Sequence, residues 1–194
     1  MPENRQAVLA DAHDAHDAYD VVVIGAGLLG CFTARELSRY RLRVALVEAR
    51  EDVCTGISRA NTAIVYSGYD NKPSTLKAQM CVAANRDFAR LCAELGVPIK
   101  ACGSLMVAFG PNGEAVLQRK LRQGAANGVE ALRLLTAAEV IRAEPNINPA
   151  VRAALFSPNT ATVNPWELCI AAAENAISNG VELRLASRVV GIKG

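Results

Sequence analysis

Residues 21–30 read VVVIGAGLLG, an apolar run that leads directly into three glycines, Gly25, Gly27 and Gly30. Such a run predicts a central strand buried on both faces of a parallel sheet. In the turn that follows, the first glycine permits a tight bend, the second lets the backbone approach a pyrophosphate, and the third lets a helix pack closely on the strand. The stretch therefore predicts a dinucleotide held at a helix N-terminus, where N–H groups and the helix dipole favour negative charge.

The surrounding sequence completes a βαβ unit of roughly 30 residues. It predicts a strand over 19–24, a helix over 28–40 with apolar residues at helical spacing, and a second strand over 43–47. Glu48 follows the second strand, about 20 residues beyond the glycines, where a carboxylate contacts ribose hydroxyls. Because this carboxylate would repel a 2′-phosphate, NADP is disfavoured, and FAD and NAD both remain open.

The loop after Glu48 favours FAD. Residues 56–70, GISRANTAIVYSGYD, are rich in small and hydroxyl-bearing side chains. Ser58, Asn61 and Thr62 can donate hydrogen bonds to phosphate or flavin oxygens. An NAD enzyme tends to run from its second strand into another helix, and a plain surface loop would not carry the apolar residues 63–65.

The rest of the chain predicts further helices and strands. Helices are expected over 74–95, over 113–127, from the Thr136–Glu139 capping box to the residue before Pro145, and over 165–179. Strands are expected over 105–109, 131–135, 153–156 and 181–185, with another strand-like segment over 189–194. The pattern is thus parallel α/β at both ends and mixed in the middle.

This order predicts an α/β chain with a Rossmann-like FAD/NAD(P)-binding fold and an inserted α+β segment of a substrate domain. The predicted divisions are a flexible leader over 1–18, a first part of the FAD-binding domain over 19–95, the inserted segment over 96–164, and the continued binding domain over 165–194. A doubly wound nucleotide fold needs about five or six strands. About four candidates lie outside the insertion, so the predicted fold is incomplete and truncated.

Composition and charge exclude several classes of partner. The net charge is +2, from 21 basic and 19 acidic residues spread along the sequence, which argues against nucleic acid or an acidic membrane surface. No apolar stretch approaches the roughly 20 residues that span a bilayer, and the amino terminus has no signal-peptide pattern. The six cysteines contain no C-x-x-C pair, as is typical of reduced core thiols. We expect a cytoplasmic protein.

The leader sequence DAHDAHDAYD offers one alternative site. Its His13 and His16, with flanking aspartates, are side chains that bind divalent metals. Nothing nearby would hold these ligands rigid, so a solvated leader without a metal is the expectation.

Taken together, these motifs resemble the FAD-dependent oxidoreductases of the D-amino-acid oxidase superfamily. L-2-hydroxyglutarate dehydrogenases or oxidases are the nearest branch, and FAD-dependent glycerol-3-phosphate dehydrogenases are next. The segments that carry the resemblance are VVVIGAGLLG with Glu48, SRANTAIVYSGYDNKPSTLKA over 58–78, GSLMVAF over 103–109, and LFSPNTATVNPWEL over 155–168. The similarity spans roughly Tyr19 to Gly194 and covers the amino-terminal half of the family's usual length.

The resemblance implies that eight residues contact FAD. They are Gly25, Gly27 and Gly30 at the pyrophosphate, Glu48 at the adenosine ribose, Ser58, Asn61 and Thr62 beside the pyrophosphate and flavin, and Val189 at the adenine through its backbone.

Two further residues are candidate substrate contacts. Relatives often have histidine where this chain has Tyr66, and in some members a histidine of this region carries the flavin covalently. Tyrosine therefore implies dissociable FAD. Lys72 matches a lysine of the 2-hydroxyglutarate branch and would attract an anionic substrate; the alternative is a solvated turn residue before a proline.

The family's chemistry implies hydride transfer to flavin N5 from a carbon that bears a hydroxyl or an amine. The leading hypothesis is oxidation of the CH–OH group of a small 2-hydroxy acid such as 2-hydroxyglutarate, or of glycerol 3-phosphate. In relatives much of the substrate pocket comes from the carboxy-terminal half, so no catalytic residue or electron acceptor is assigned. The alternatives are a noncatalytic FAD-binding subunit completed by a partner chain, amine oxidation, and an NAD-dependent dehydrogenase.

Overall fold

A computed structural model describes residues 18–193, which divide into two compact units. One unit joins the chain up to Thr55 to the chain from Ala172 onward, and the other contains Gly56–Ala171. The domain limits expected from the sequence, at residues 95 and 164, stay a prediction. The metal alternative at His13 and His16 lies outside the described residues.

The described residues form nine strands and five α-helices. In chain order they are β1 (Val21–Ile24), α1 (Leu28–Leu37), β2 (Val44–Val47), β3 (Ile64–Val65), α2 (Leu76–Leu95), β4 (Ile99–Lys100), β5 (Ser104–Ala108), α3 (Pro111–Ala126), β6 (Arg133–Thr136), α4 (Ala137–Ala143), β7 (Ala153–Ser157), β8 (Ala161–Val163), α5 (Pro165–Ser178) and β9 (Glu182–Arg184). A single 3₁₀ turn covers Ile57–Arg59.

The first unit contains the expected βαβ arrangement. Strands β1, β2 and β9 form a parallel sheet in the order β1-β2-β9, with Val21 opposite Val44 and Ala45 opposite Glu182. Helix α1 connects β1 to β2, and Arg35 donates a hydrogen bond to Asn175 of α5 over 3.0 Å. The structure thus confirms the parallel α/β pattern.

Among the described strands, β1 lies at an edge of that sheet and not at its centre. Strand β2 is central, and its residues Val44, Ala45 and Leu46 are buried, whereas β1 lies at the edge and leaves Val22 and Ile24 49% and 57% exposed. β-Branched residues favour strands at any position of a sheet. The apolar run therefore predicted the strand and not its place.

The second unit is built on antiparallel pairing. Strands β5, β7 and β6 form one sheet in that order, and β3, β8 and β4 form another. Neighbouring residues of β7 belong to two different hydrophobic clusters. Ala154 packs with Leu135 and Val140, and Leu155 packs with Ala108 and Leu117. This alternation is the two-residue period of a strand buried on both faces.

Capping residues that the sequence predicts are present at the ends of α2 and α4. Thr75 accepts a hydrogen bond from the Ala78 N–H at the start of α2, and Gly96 ends that helix with φ +67°. Thr136 and Glu139 form the expected reciprocal capping box at α4.

The strand-like segment expected over 189–194 is wrong where the structure describes it. Residues 189–193 form no strand, and Val190 and Ile192 are 93% and 84% exposed. A strand needs a neighbour for its N–H and C=O groups, and apolar residues alone do not supply one.

Candidate FAD-binding site

The glycine turn after β1 has a geometry that side chains would disrupt. Gly25 has φ +99°, in the left-handed region that glycine adopts without a Cβ penalty. A Cβ on Gly30 would lie 1.8 Å from the carbonyl oxygen of Gly25. The third glycine therefore lets α1 pack directly against the turn.

The start of α1 is suited to an anion. Gly27 occupies the N-cap position, where no side chain caps the helix, and the first turn contains no acidic residue. Backbone N–H groups at a helix start attract phosphate oxygens through hydrogen bonds and the helix dipole. The residues present thus fit a dinucleotide pyrophosphate.

Glu48 contacts the turn directly. Its Oε2 accepts a hydrogen bond from the Ala26 N–H over 2.8 Å, and its Oε1 accepts one from the Arg50 N–H over 3.0 Å. A carboxylate has about four acceptor positions, so the half-buried Glu48 retains capacity for ribose hydroxyls. The structure brings Glu48 to the glycine turn, as the sequence spacing predicts.

Val189 belongs to the same unit. Just before it, the Ser187 N–H donates to the Glu48 carbonyl oxygen over 2.7 Å, and the Ala186 N–H donates to the Arg50 carbonyl oxygen over 2.7 Å. Val189 therefore lies two residues beyond a backbone contact with Glu48. Its backbone contact with adenine stays a prediction.

Ser58, Asn61 and Thr62 lie in the second unit. The Asn61 side-chain amide donates to the Ser58 carbonyl oxygen over 2.6 Å and accepts from the Ala63 N–H over 2.7 Å. Thr62 Oγ1 lies 3.5 Å from the hydroxyl of Tyr66. Asn61 thus shapes its own loop, while Thr62 and Tyr66 present hydroxyls side by side.

The segment that follows contains the two candidate substrate contacts. The side chains of Tyr66 and Lys72 are exposed. The carbonyl oxygen of Lys72 accepts a hydrogen bond from Thr75 Oγ1 over 2.7 Å. The Lys72 ammonium therefore extends from a backbone that the cap of α2 holds.

Sequence reasoning missed the residues that support this segment. Gln123 of α3 and Asn127 at the C-cap of α3 donate to backbone carbonyls of residues 68–71. Ser67 Oγ lies 2.7 Å from Ser157 Oγ in the interior. The signal in the sequence is a pair of polar amides four residues apart around a glycine near the end of α3, but the sequence does not reveal the loop they contact.

Other features expected from the sequence involve cysteines and metals. All six cysteines are thiols and four of them are buried, and burial raises the pKa of the Cys92 thiol. Within residues 18–193, no group of three or more histidine, cysteine, aspartate or glutamate side chains could hold a metal ion. Over the same range no helix has both the length and the apolar character needed to cross a membrane.

Comparison with known sequences identifies relatives. The profile of the FAD dependent oxidoreductase family, DAO, matches residues 20–194. Glycerol 3-phosphate dehydrogenase from Caloramator mitchellensis is 44% identical over 173 residues, which are 89% of this chain and 36% of that protein. The mitochondrial L-2-hydroxyglutarate dehydrogenase of Arabidopsis thaliana is 33% identical over 155 residues, which are 80% of this chain and 32% of that protein.

A solved structure also matches the fold of this chain. Dithionite-reduced L-α-glycerophosphate oxidase from Mycoplasma pneumoniae, with FAD bound, matches with a TM-score of 0.85 at 28% identity, over 89% of this chain and 46% of that chain. The chain spans about a third of the length of the curated relatives it matches. Between the two dinucleotides that the motifs left open, the match favours FAD, and the chain belongs to the DAO family of FAD-dependent oxidoreductases.

Proposed function

We propose that this chain supplies the FAD-binding part of an oxidoreductase that oxidises the CH–OH group of glycerol 3-phosphate. The observation that carries the dinucleotide site is the hydrogen bond between Glu48 and the Ala26 N–H within the glycine turn, and the match to the FAD dependent oxidoreductase family over residues 20–194 selects FAD. The observation that favours this substrate is 44% identity to a glycerol 3-phosphate dehydrogenase over 89% of the chain.

In this proposal each part of the site binds one part of the cofactor. Gly25, Gly27 and Gly30 let the start of α1 receive the pyrophosphate, because no side chain stands between backbone and phosphate. The spare acceptor positions of Glu48 bind the adenosine ribose, and the backbone of Val189 contacts the adenine. The chemistry supplied by bound FAD is acceptance of a hydride from the substrate carbon.

Ser58, Asn61 and Thr62 complete the proposed set beside the pyrophosphate and flavin. Hydroxyl and amide groups donate to phosphate and ring oxygens without adding charge. The neighbouring hydroxyls of Thr62 and Tyr66 are exposed donors of this segment. Because residue 66 is tyrosine, we propose that the chain holds FAD without a covalent bond.

Lys72 is the proposed contact for the substrate anion. Its side chain is exposed, and glycerol 3-phosphate and 2-hydroxyglutarate both carry negative charge at neutral pH. An ammonium group attracts such substrates as a point charge. A second candidate substrate is 2-hydroxyglutarate, favoured by the 33% identity to a dehydrogenase of that acid.

Anaerobic reduction of the FAD-loaded enzyme tests the proposal. Glycerol 3-phosphate should bleach the visible flavin absorbance faster than L-2-hydroxyglutarate does, and glycine should not bleach it. Lys72→Ala should raise the substrate concentration for half-maximal bleaching roughly tenfold, and Lys100→Ala, another exposed lysine, should leave it unchanged. Bleaching by neither hydroxy substrate would contradict the proposed function, and bleaching by glycine would indicate amine oxidation.

A further inference from the structure

The segment from Tyr66 to Lys72 forms no helix or strand, yet five of its carbonyl groups accept hydrogen bonds from side chains. A loop carbonyl outside regular structure needs a donor from the backbone of a turn, a side chain or water. Here side chains supply the donors for residues 66, 68, 69, 71 and 72. The backbone of this segment is therefore held by side chains of neighbouring elements.

Two side-chain amides at the C-terminal end of α3, one in the last turn and one at the C-cap, provide most of these donors. Gln123 Nε2 donates to the carbonyl oxygens of Tyr69 and Asn71 over 3.2 and 2.9 Å. Asn127 Nδ2 donates to those of Gly68 and Asn71 over 3.0 and 2.8 Å. Residues four apart share a helix face, so both amides converge on the residue immediately before Lys72.

A glycine in α3 lets the helix pack closely against the segment from Tyr66 to Lys72. Between the two amides lies Gly124, where a Cβ would sit 2.2 Å from Leu132 Cδ1 and 2.9 Å from Tyr69 Cβ. Glycine in a helix interior costs about 0.5–1 kcal/mol relative to alanine. The close contact with Tyr69 explains why glycine is present despite that cost.

The two ends of the segment are also anchored. Ser67 Oγ and Ser157 Oγ lie 2.7 Å apart and both residues are buried. At the other end Thr75 Oγ1 donates to the Lys72 carbonyl oxygen. The anchored backbone thus leaves the exposed side chains of Tyr66 and Lys72 on a fixed base.

We propose that Gln123 and Asn127 are positioning residues that hold Lys72 for the substrate anion. This inference rests on the proposed function, in which Lys72 contacts that anion. A cation on a prearranged backbone loses less conformational freedom when it binds a ligand. The amides therefore act through Lys72 and contact neither substrate nor flavin.

The test compares two matched variants of the FAD-loaded enzyme. Gln123→Glu keeps the shape of the side chain and removes its N–H donors, and Gln118→Glu makes the same change at an exposed position of α3. Gln123→Glu should raise the KM for glycerol 3-phosphate roughly tenfold, with kcat within about threefold. Hydrogen–deuterium exchange of residues 66–72 should also rise. Gln118→Glu should change neither quantity.

A double-mutant cycle then asks whether Gln123 acts through Lys72. In a Lys72→Ala background, Gln123→Glu should raise KM less than about twofold further. A full tenfold rise in that background would overturn the inference, as would an unchanged KM for Gln123→Glu alone. Should Gln123→Glu fail to fold, Asn127→Ala with Asn112→Ala as its control provides the same comparison.

Deuterium exchange tests the anchoring by α3, and turnover by the unsubstituted enzyme tests the proposed function on which this inference rests. Unchanged deuterium exchange in Gln123→Glu would overturn the anchoring by α3, whatever the substrate. An unsubstituted enzyme that turns over neither glycerol 3-phosphate nor L-2-hydroxyglutarate would contradict the proposed function, and with it the role of Lys72.

Discussion

Glu48 lies at the turn because its carboxylate accepts the Ala26 N–H, and not only because it follows a strand. We expect Glu48→Gln to raise the Kd for FAD about tenfold, since an amide is a weaker acceptor for ribose hydroxyls and has half the acceptor positions. Fluorescence titration of the apoprotein with FAD measures this Kd. Glu51→Gln, an exposed neighbour, serves as the control, and equal affinities in both variants would contradict the ribose assignment.

Gly30 gives a prediction about stability. In Gly30→Ala the new Cβ would meet the Gly25 carbonyl oxygen, a backbone atom that moves only with its strand. We expect a loss of at least about 2 kcal/mol in the free energy of unfolding, measured by urea denaturation. Gly110→Ala is the control, because Gly110 has extended backbone and open space around it. Equal stabilities would show that α1 does not need the close approach.

The residues of the glycine turn could be predicted because motif and spacing reflect local chemistry. Glu48 lies 22 residues from Ala26 within one βαβ unit, so its position follows from the unit itself. Gln123 and Asn127 contact carbonyls more than 50 residues away. Nothing local to α3 indicates which loop it meets, and sequence reasoning therefore missed them.

At the scale of elements, α3 depends on a glycine that helix propensity disfavours. We expect Gly124→Ala to lower the free energy of unfolding by about 1–3 kcal/mol, because its Cβ would overlap Leu132 and Tyr69. Ala115→Gly, at an exposed position of the same helix, should cost about 0.5–1 kcal/mol, because glycine loses more conformational freedom on folding than alanine does. A stabilising effect of Gly124→Ala in urea denaturation would contradict the close packing.

The capping box of α4 makes stability depend on pH. Hydrogen bonds from the Thr136 N–H and hydroxyl lower the pKa of Glu139. Because this pKa is lower in the folded than in the unfolded chain, the carboxylate stabilises the fold near neutral pH. That contribution is lost as pH falls through the folded-state pKa.

Urea denaturation at several pH values, from neutral down to about pH 3, measures this effect. The stability difference between the unsubstituted chain and Glu139→Gln should shrink as pH falls, since glutamine does not titrate. Glu174→Gln, at an exposed position of α5, should show a smaller change. A difference independent of pH would contradict the cap's role.

The long helices were predictable from the sequence, and the two-residue strands were not. Helix α2 shows its period over 20 residues and has a polar cap and a terminal glycine. Strands β3 and β4 have two residues each, too few to show a period, so they were missed. Residues 189–193 form no strand because apolar residues favour strands, whereas pairing depends on distant partners.

At the scale of the whole molecule, the order of elements follows from the sequence. The parallel α/β pattern at both ends and the mixed pattern between them are present in the structure. The division at Thr55 and Ala171 depends on packing within each unit, which composition and periodicity do not reveal. The match along residues 20–194 shows the family, and glycerol 3-phosphate is the proposed substrate.

The visible absorption spectrum of the purified protein, before and after denaturation and filtration, shows whether the chain binds FAD and whether the bond is covalent. We expect a flavin spectrum whose chromophore passes the filter as FAD, because we assign noncovalent binding to Gly25, Gly27, Gly30 and Glu48 and no covalent bond to Tyr66. A chromophore retained with the protein would contradict noncovalent binding. A colourless protein that added FAD does not reconstitute would contradict the FAD site itself.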